Sequence, residues 1–349
     1  MTDPRRVLHG QIHMVSARCS ERRFFLKPCK AVREIFVYAL ARALEQTSVE
    51  LYAVTVQANH FHAQVGDPKG ELPKFMELLD LLTARGLNAH WGRGERFWSS
   101  APYSNVEIHD EETLVRELVY LFTNPVKDGL VARPEEWPGF STSPEDVGTR
   151  TFVAERPDYA FFGGKRAERW IAKGSMTPAE YRKAVAEREQ AEARDREDGR
   201  RVREPRSTLP DAIPFEVKVP FMIPPAEHEA FRKKVRAAVE LEVDEIHRRR
   251  RAEGKPVFMG AAKIRALNWR DSTGDTFPSF GLNPRIASGN QDGEREELLR
   301  GLVAWREAYR EALAAWQDDR DYEVEFPLGT YGKHKVDKCN LATEPILRA

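Results

Sequence analysis

The chain has 349 residues and a mass of 40.0 kDa, enough for two domains or for one domain with a large extension. Its 41% hydrophobic and 32% charged residues give a soluble profile. No apolar run approaches the roughly 18 residues that cross a bilayer, and the opening MTDPRRV lacks the apolar core of a secretory signal, so the expectation is a cytoplasmic protein without a membrane partner. Lys plus Arg equals Asp plus Glu at 55 each, and residues 1–150 carry 18 basic against 20 acidic side chains, so no bulk positive field announces a nucleic-acid partner. Three scattered cysteines, Cys19, Cys29 and Cys339, exclude a disulfide framework or zinc finger and read as small hydrophobes or free thiols.

In chain order, Val7 to Ser16 alternates as a strand, with His9 and His13 on one face as lower-ranked candidates for contact with DNA. Cys29 to Gln46 is an amphipathic helix. Val49 to Val65 reads as two short strands meeting near Gln57 to Asn59. In a strand, positions i and i+2 share a face and lie roughly 6.6 Å apart. His60 and His62 can therefore aim both imidazoles at one cation, while Phe61 turns to the opposite face to anchor a core. Two histidines on one strand face are more often solvent-facing or hydrogen-bonded to neighbours than metal ligands.

Leu72 to His90 reads as a second helix and Phe97 to Ile108 as a strand, with His90 and His109 at element ends and expected at the surface rather than as ligands. Asp110, Glu111 and Glu112 crowd the start of an apolar-periodic run, which predicts a helix over Glu111 to Asn124 with Pro125 as its stop or kink. On that helix Tyr120 and Asn124 project from one face, about 5 to 6 Å apart. The residues alone leave two readings open: a chemical site, or a half-buried core tyrosine beside an asparagine that closes the helix. Strand, helix, strand, strand, helix, strand, helix fits an α+β fold, a ferredoxin-like antiparallel sheet with helices on one face.

The order and spacing of NHFH (Asn59 to His62), YLFTNPVKDGLV (Tyr120 to Val131) and PEEWPGFSTS (Pro134 to Ser143) resembles the single-tyrosine HUH transposases of the IS200-like superfamily, and among them the REP-associated tyrosine transposases. RRFFL at Arg22 to Leu26 and GRGERFW at Gly92 to Trp98 add weaker matches. The resemblance covers roughly residues 5–145. It implies that His60, His62 and Asn124 hold a divalent metal, Mg or Mn, that Tyr120 is the nucleophile, and that the histidines sit on a central strand. It further implies a partner: single-stranded DNA, hairpin-forming, cleaved and rejoined. Whether the chain works as a monomer or a homodimer stays open. Two departures are Ala58, where the family often has proline, and Asp128, where it usually has alanine; neither is expected to touch a reacting group.

The chemistry gives reasons for these residue types. A tyrosine with an ordinary pKa near 10 is protonated at neutral pH, so it needs proton removal or an unusually electrophilic target, and a divalent cation supplies the latter by polarising a phosphoryl oxygen. Two histidines would also hold zinc, nickel or cobalt. Arg5, Arg6, Arg22, Arg23, Arg93 and Arg96 are candidates for a local phosphate-facing cluster, with Trp91, Trp98 and Tyr103 available to stack on unpaired bases.

Beyond residue 150 the resemblance fades. Thr177 to Glu180 has capping-box spacing and opens a charged helix that stops near Gly199, followed by a proline-rich connection. A helix over Glu227 to Glu253 ends in Arg248 to Arg251, either a phosphate-contacting surface or a solvated helix end. Glu294 to Gln317 is amphipathic and expected to be core. The division expected is a transposase-like unit over 1–150, a charged helical and proline-rich linker over 151–225, and a mainly helical region over 226–349. The rival to a DNA-cleaving enzyme is a non-catalytic or domesticated HUH-fold nucleic-acid-binding regulator.

Overall fold

The computed structural model describes residues 5–100, 103–157, 209–273, 286–287, 292–318 and 321–343, with isolated positions between 162 and 194. The first strand, β1 (Gln11–Arg18), begins later than its sequence pattern predicts. Gly10, at φ 72°, reverses the chain just before it, and Val7 is bonded instead to Gly329 O at 2.9 Å. Helix α1 (Lys30–Glu45) follows, then β2 (Glu50–Val56), β3 (His60–Asp67) and α2 (Leu72–Trp91). The buried Asp67 carboxylate sets the start of α2 by accepting from the Glu71 and Leu72 backbone amides at 2.7 and 2.9 Å. Its end is closed by Gly92 in the left-handed conformation. Only Ser104–Ile108 of the expected strand 97–108 is regular (β4). Upstream of it Trp98 makes only an isolated bridge to Cys19.

Helix α3 (Glu111–Lys127) starts where predicted, with the Asp110 carboxylate accepting from the Thr113 amide at 2.7 Å. It runs through Pro125 instead of stopping there. A proline in the last turn forfeits only one backbone bond, and Gly129 (φ 71°) then ends the helix in a Schellman arrangement, with Gly129 N bonded to Val126 O at 2.9 Å and Leu130 N to Pro125 O at 3.0 Å. Asn124 therefore lies inside the helix, buried at 2% exposure, rather than closing it.

The sheet order is β2-β3-β1-β4-β7, antiparallel throughout except for the short β7 (Ile286–Ala287), which pairs parallel with β4. The first four strands follow the expected ferredoxin-like order, and β3 lies inside the sheet. Helices α1 and α2 pack together on one face, where Phe36 meets Phe61 edge-on at 5.2 Å. Helix α3 lies on the other, where the Gln64 amide donates to Leu114 O at 3.3 Å. The outer edge of β2 is covered by the PEEWPGFSTS segment, through Val56 N to Phe140 O at 2.8 Å and Thr142 N to Val54 O at 2.9 Å.

The stretch expected as linker contributes a ribbon, β5 (Thr151–Glu155) antiparallel to β6 (Ala212–Glu216), whose Phe152 and Phe215 rings stack at 5.3 Å. Ala154, Ile213 and Phe215 belong to the same buried cluster as α1, and the Tyr38 hydroxyl donates to Pro210 O at 2.6 Å. The charged helix expected after Thr177 falls outside the described residues apart from isolated helical positions. Helix α4 (His228–Ala252) packs on α3 and buries Phe231, Val235 and Val239 in the main core. Its Arg248 and Arg249 pair with Glu245 and Glu242, and Arg250 lies over Phe258 at 4.7 Å, so three of the four arginines are engaged locally. Helix α5 (Ala261–Ala266) and helix α6 (Asp292–Gln317) follow. In α6 the fully buried Trp305 donates to Leu328 O at 2.8 Å, as its apolar stripe predicts. A small parallel pair, β8 (Glu325–Phe326) and β9 (Asn340–Leu341), packs beside it. All three cysteines are free, Cys19 and Cys339 buried. No described helix is long and apolar enough to cross a membrane.

Candidate active site

The two-residue period of β3 carries out the division that the sequence implies. Phe61 is fully buried under α1, while His60 and His62 turn to the opposite face, their ring centres 4.9 Å apart and their planes at 90°. Register places Ser16 of β1 and Thr55 of β2 on either side of His62, and Arg18 across from His60. Helix α3 brings Tyr120 over this face, with its ring 5.5 Å from the His62 ring in an edge-to-face contact. One turn further along on the same helix, Asn124 acts on the phenol in the direction that lowers its pKa. Tyr120 thus meets His62 directly and His60 lies edge-on to His62, with Asn124 one turn along the helix from Tyr120.

Electrostatics at this point follow from burial. Desolvation, reinforced by the His62 and Arg18 charges, holds His60 well below the usual imidazole range. Desolvation, then Arg18 and Lys127, brings His62 down to about 4. Both rings are therefore neutral at physiological pH and keep a lone pair. Burial raises the Tyr120 phenol above its ordinary value, and the Asp128 carboxylate pushes it the same way, while Asn124 opposes them. Asp128, not expected to touch a reacting group, thus acts on the Tyr120 phenol through its charge. Its own pKa is raised by burial.

Two of the three implied metal ligands fit a divalent ion closely. The Asn59 carboxamide oxygen lies 2.7 Å from His60 Nδ1, which leaves Nε2 as the coordinating atom, the usual outer-shell pattern for a ligating histidine. His60 and His62 lie on one strand face with ring centres 4.9 Å apart, and they are the two side chains that would hold such an ion. Asn124 fits with a qualification that comes from Gln57. The buried Gln57 amide donates to Asn124 Oδ1, so the oxygen that would ligate is already an acceptor, although a carbonyl oxygen keeps a second lone pair. Among the described residues no three His, Cys, Asp or Glu side chains form a competing metal cluster.

Three participants escaped the sequence reading. Gln57 lies at the β2–β3 turn with no periodic signal. Lys127 belongs to the YLFTNPVKDGLV segment and places its ammonium 4.7 Å from the centre of the Tyr120 ring. Arg18 ends β1 and is aimed here only by cross-strand register. Its proximity was invisible without the pairing.

The expected arginine and aromatic surface is differently arranged. Arg6 is 6% exposed and bonded to Glu107 at 3.1 Å, so it faces inward. Arg5 lies over Tyr103 at 3.6 Å, Arg23 pairs with Glu21 at 2.8 Å, and Arg93 lies over Phe25 at 3.6 Å. Trp91 stacks on Trp269 at 5.5 Å, and Trp98 is half-buried with its indole N–H on Asp80 O at 2.9 Å. His9 is exposed at a turn, whereas His13 is 2% exposed inside β1 with a pKa lowered by burial, so the two do not form a DNA-facing pair. His90 and His109 are half-buried: the first contacts Trp91 at 4.5 Å, and the second lies 3.5 Å from Glu107.

No family model and no curated protein matches the chain. Among solved structures it is similar to a REP-associated tyrosine transposase bound to a REP hairpin, at 18% identity and a TM-score of 0.36, over 42% of this chain and 85% of that one. It is also similar to a candidate transposase from Deinococcus radiodurans R1, at 20% identity and a TM-score of 0.26, over 34% of this chain and 95% of that one.

Proposed function

We propose that this protein is a single-tyrosine transposase-type enzyme that cleaves and rejoins single-stranded DNA with a divalent metal, Mg or Mn, through a covalent 5′-phosphotyrosine. The observation that carries the reading is the meeting of the Tyr120 ring with the His62 imidazole, itself edge-on to His60, across two elements that the sequence separates widely. A buried tyrosine needs one hydrogen-bond partner to be structurally content. It does not need two neutral imidazoles on a polar strand face, a carboxamide one turn away and a lysine ammonium over its ring.

A bound divalent ion would polarise a non-bridging phosphate oxygen and orient the scissile phosphate. His60 and His62 would hold it, with Asn124 as the third donor. The Tyr120 oxygen then forms a bond to phosphorus as the bond from phosphorus to the 3′ oxygen breaks, and the phenol proton leaves while the departing oxygen gains one, giving a free 3′ hydroxyl. Arg18 is the cation whose charge acts on the Tyr120 phenol in the direction that favours ionisation. Because the phosphoester survives on the enzyme, a second hydroxyl can attack it and rejoin a strand without nucleotide hydrolysis. Hairpin-forming DNA as the substrate follows from the resemblance of the NHFH and YLFTNPVKDGLV motifs.

The test is incubation of the full chain with labelled single-stranded hairpin DNA and manganese. A denaturant-resistant protein–DNA adduct that Tyr120→Phe and a chelator each abolish is expected. Tight hairpin binding with no adduct across a broad set of sequences would favour a non-catalytic, DNA-binding regulator instead.

A further inference from the structure

The segment Leu267–Thr273 lies far downstream of the histidine pair, yet it runs alongside the loop that leads into α1. Phe24 N donates to Asp271 O at 3.0 Å, Arg23 and Ser272 form an antiparallel bridge, and the Lys27 and Arg23 side chains reach the Leu267 and Arg270 carbonyls. Trp269 is the anchor. Its indole stacks on Trp91 at 5.5 Å and 23°, meets Phe25 at 6.0 Å, and has the Arg270 guanidinium 4.5 Å from its ring centre. The loop it grips is bonded in turn to the residues just before His60, with Leu26 N on Ala58 O at 2.9 Å and Cys19 N on Asn59 O at 2.8 Å.

The strap ends on the side chain that touches His60. The Asn59 Nδ2 amide donates to the Arg22 carbonyl at 3.2 Å and to the Thr273 hydroxyl at 3.4 Å. With both amide hydrogens claimed, only the carboxamide oxygen is left for the imidazole, and it sits 2.7 Å from Nδ1. An oxygen acceptor at that distance requires the ring to donate, which fixes the tautomer with the proton on Nδ1 and the lone pair on Nε2.

We propose that residues 267–273 form a positioning strap that, through Asn59, selects the Nδ1-protonated tautomer of His60 and so presents Nε2 to a divalent ion. The C-terminal extension thereby completes the site built by the first 150 residues, and Asn59 acts as a positioning residue. The ion-binding half of this inference rests on the function proposed above; the tautomer half does not.

Long-range nitrogen–proton NMR of the metal-free full chain, with His60 assigned by its loss in His60→Gln, reads the tautomer directly, and Mn²⁺ titration reads affinity. Wild type is expected to carry the proton on His60 Nδ1. Asn59→Leu, close in shape but without an acceptor, should move the ring toward the Nε2-protonated form and weaken Mn²⁺ binding roughly 10- to 100-fold. Asn59→Asp, which restores the acceptor, should recover both. Trp269→Ala should move both readouts in the same direction by less, and Thr273→Val, which leaves the stack intact, makes the same test if the tryptophan variant does not fold. An Nε2-protonated His60 in wild type, or strap variants indistinguishable from wild type in both readouts, overturns the strap. Wild type that shows the Nδ1 proton but takes up no Mn²⁺ defeats the ion-binding function while leaving the tautomer control standing.

Discussion

One strand, β3, serves two regions of the molecule that differ in almost every physical respect. On the α1 side Phe61, Ala63 and Val65 are fully buried among aromatic and aliphatic side chains. On the α3 side His60 and His62 stay half-buried beside Ser16 and Thr55, with a tyrosine, a lysine and two carboxamides near them. The pleat separates a core that tolerates no polarity from a pocket that requires it, one residue apart. The apolar face holds the strand still, and the polar face can then afford neutral, under-solvated imidazoles. Each prediction below attacks that division from one side.

The largest effect is expected on the polar side. Tyr120→Phe should abolish the DNA adduct completely while changing the free energy of unfolding by no more than about 1.5 kcal/mol, because a half-buried phenol can give up at most about one net hydrogen bond. Denaturant unfolding and the adduct assay, run on the same preparation, measure the two. A large stability loss would mean that the hydroxyl belongs to the core and the division fails. Next comes the apolar side. Phe61→Ala should cost about 3–5 kcal/mol through the cavity left beneath Phe36 and Trp98, and whatever fraction remains folded should bind Mn²⁺ with wild-type affinity. Loss of that affinity in folded protein would show that the two faces are mechanically coupled.

A third prediction uses pH. Desolvation lowers His62 to about 4, so above pH 6.5 the ring is neutral in both folded and unfolded chains. Between 6.5 and about 4 the unfolded chain takes up a proton that the folded one refuses. Stability attributable to this ring is therefore intact above pH 6.5 and falls as pH drops, by up to about 3 kcal/mol. His62→Gln should flatten that part of the stability curve, leaving the contributions of the similarly buried His60 and His13. A curve superimposable on wild type would show that the imidazole is solvated. By the same sign, Mn²⁺ affinity should hold through mildly acidic pH, where an ordinary histidine pair would already have lost it to protons.

What was legible in the chain is what local periodicity encodes. Alternation told His62 from Phe61, and helical spacing put Tyr120 and Asn124 on one face, because both depend only on neighbours in sequence. The end of α3 departs from its local signal because Pro125 marks a stop or kink, and the closure supplied by Gly129 overrides it. Long-range pairing was not legible at all. Arg18 reaches the site through register with His60, Arg6 turns inward because Glu107 waits there, and Thr273 meets Asn59 only after the extension folds back. No composition or spacing rule carries information of that kind.

The smallest effect, and the finest test of the comparison, lies at Gln57. Its amide donates to Asn124 Oδ1, and Asn124 acts on the Tyr120 phenol in the direction that favours its deprotonation. Both carboxamides are buried at 2% exposure, so neither has water as an alternative partner. Gln57→Leu should cost about 1–3 kcal/mol by orphaning the Asn124 oxygen. Gln57→Glu asks a sharper question. An ionised carboxylate cannot donate, so at a pH above the pKa of the introduced, buried carboxyl Asn124 must turn its amide nitrogen toward residue 57 and its oxygen toward the phenol. That reversal removes a donor from the phenol oxygen, and the Tyr120 pKa, read as the difference in ultraviolet titration between the variant and its Tyr120→Phe partner, should rise further. An unchanged phenol pKa would mean that Asn124 does not act on Tyr120 through the direction of its amide.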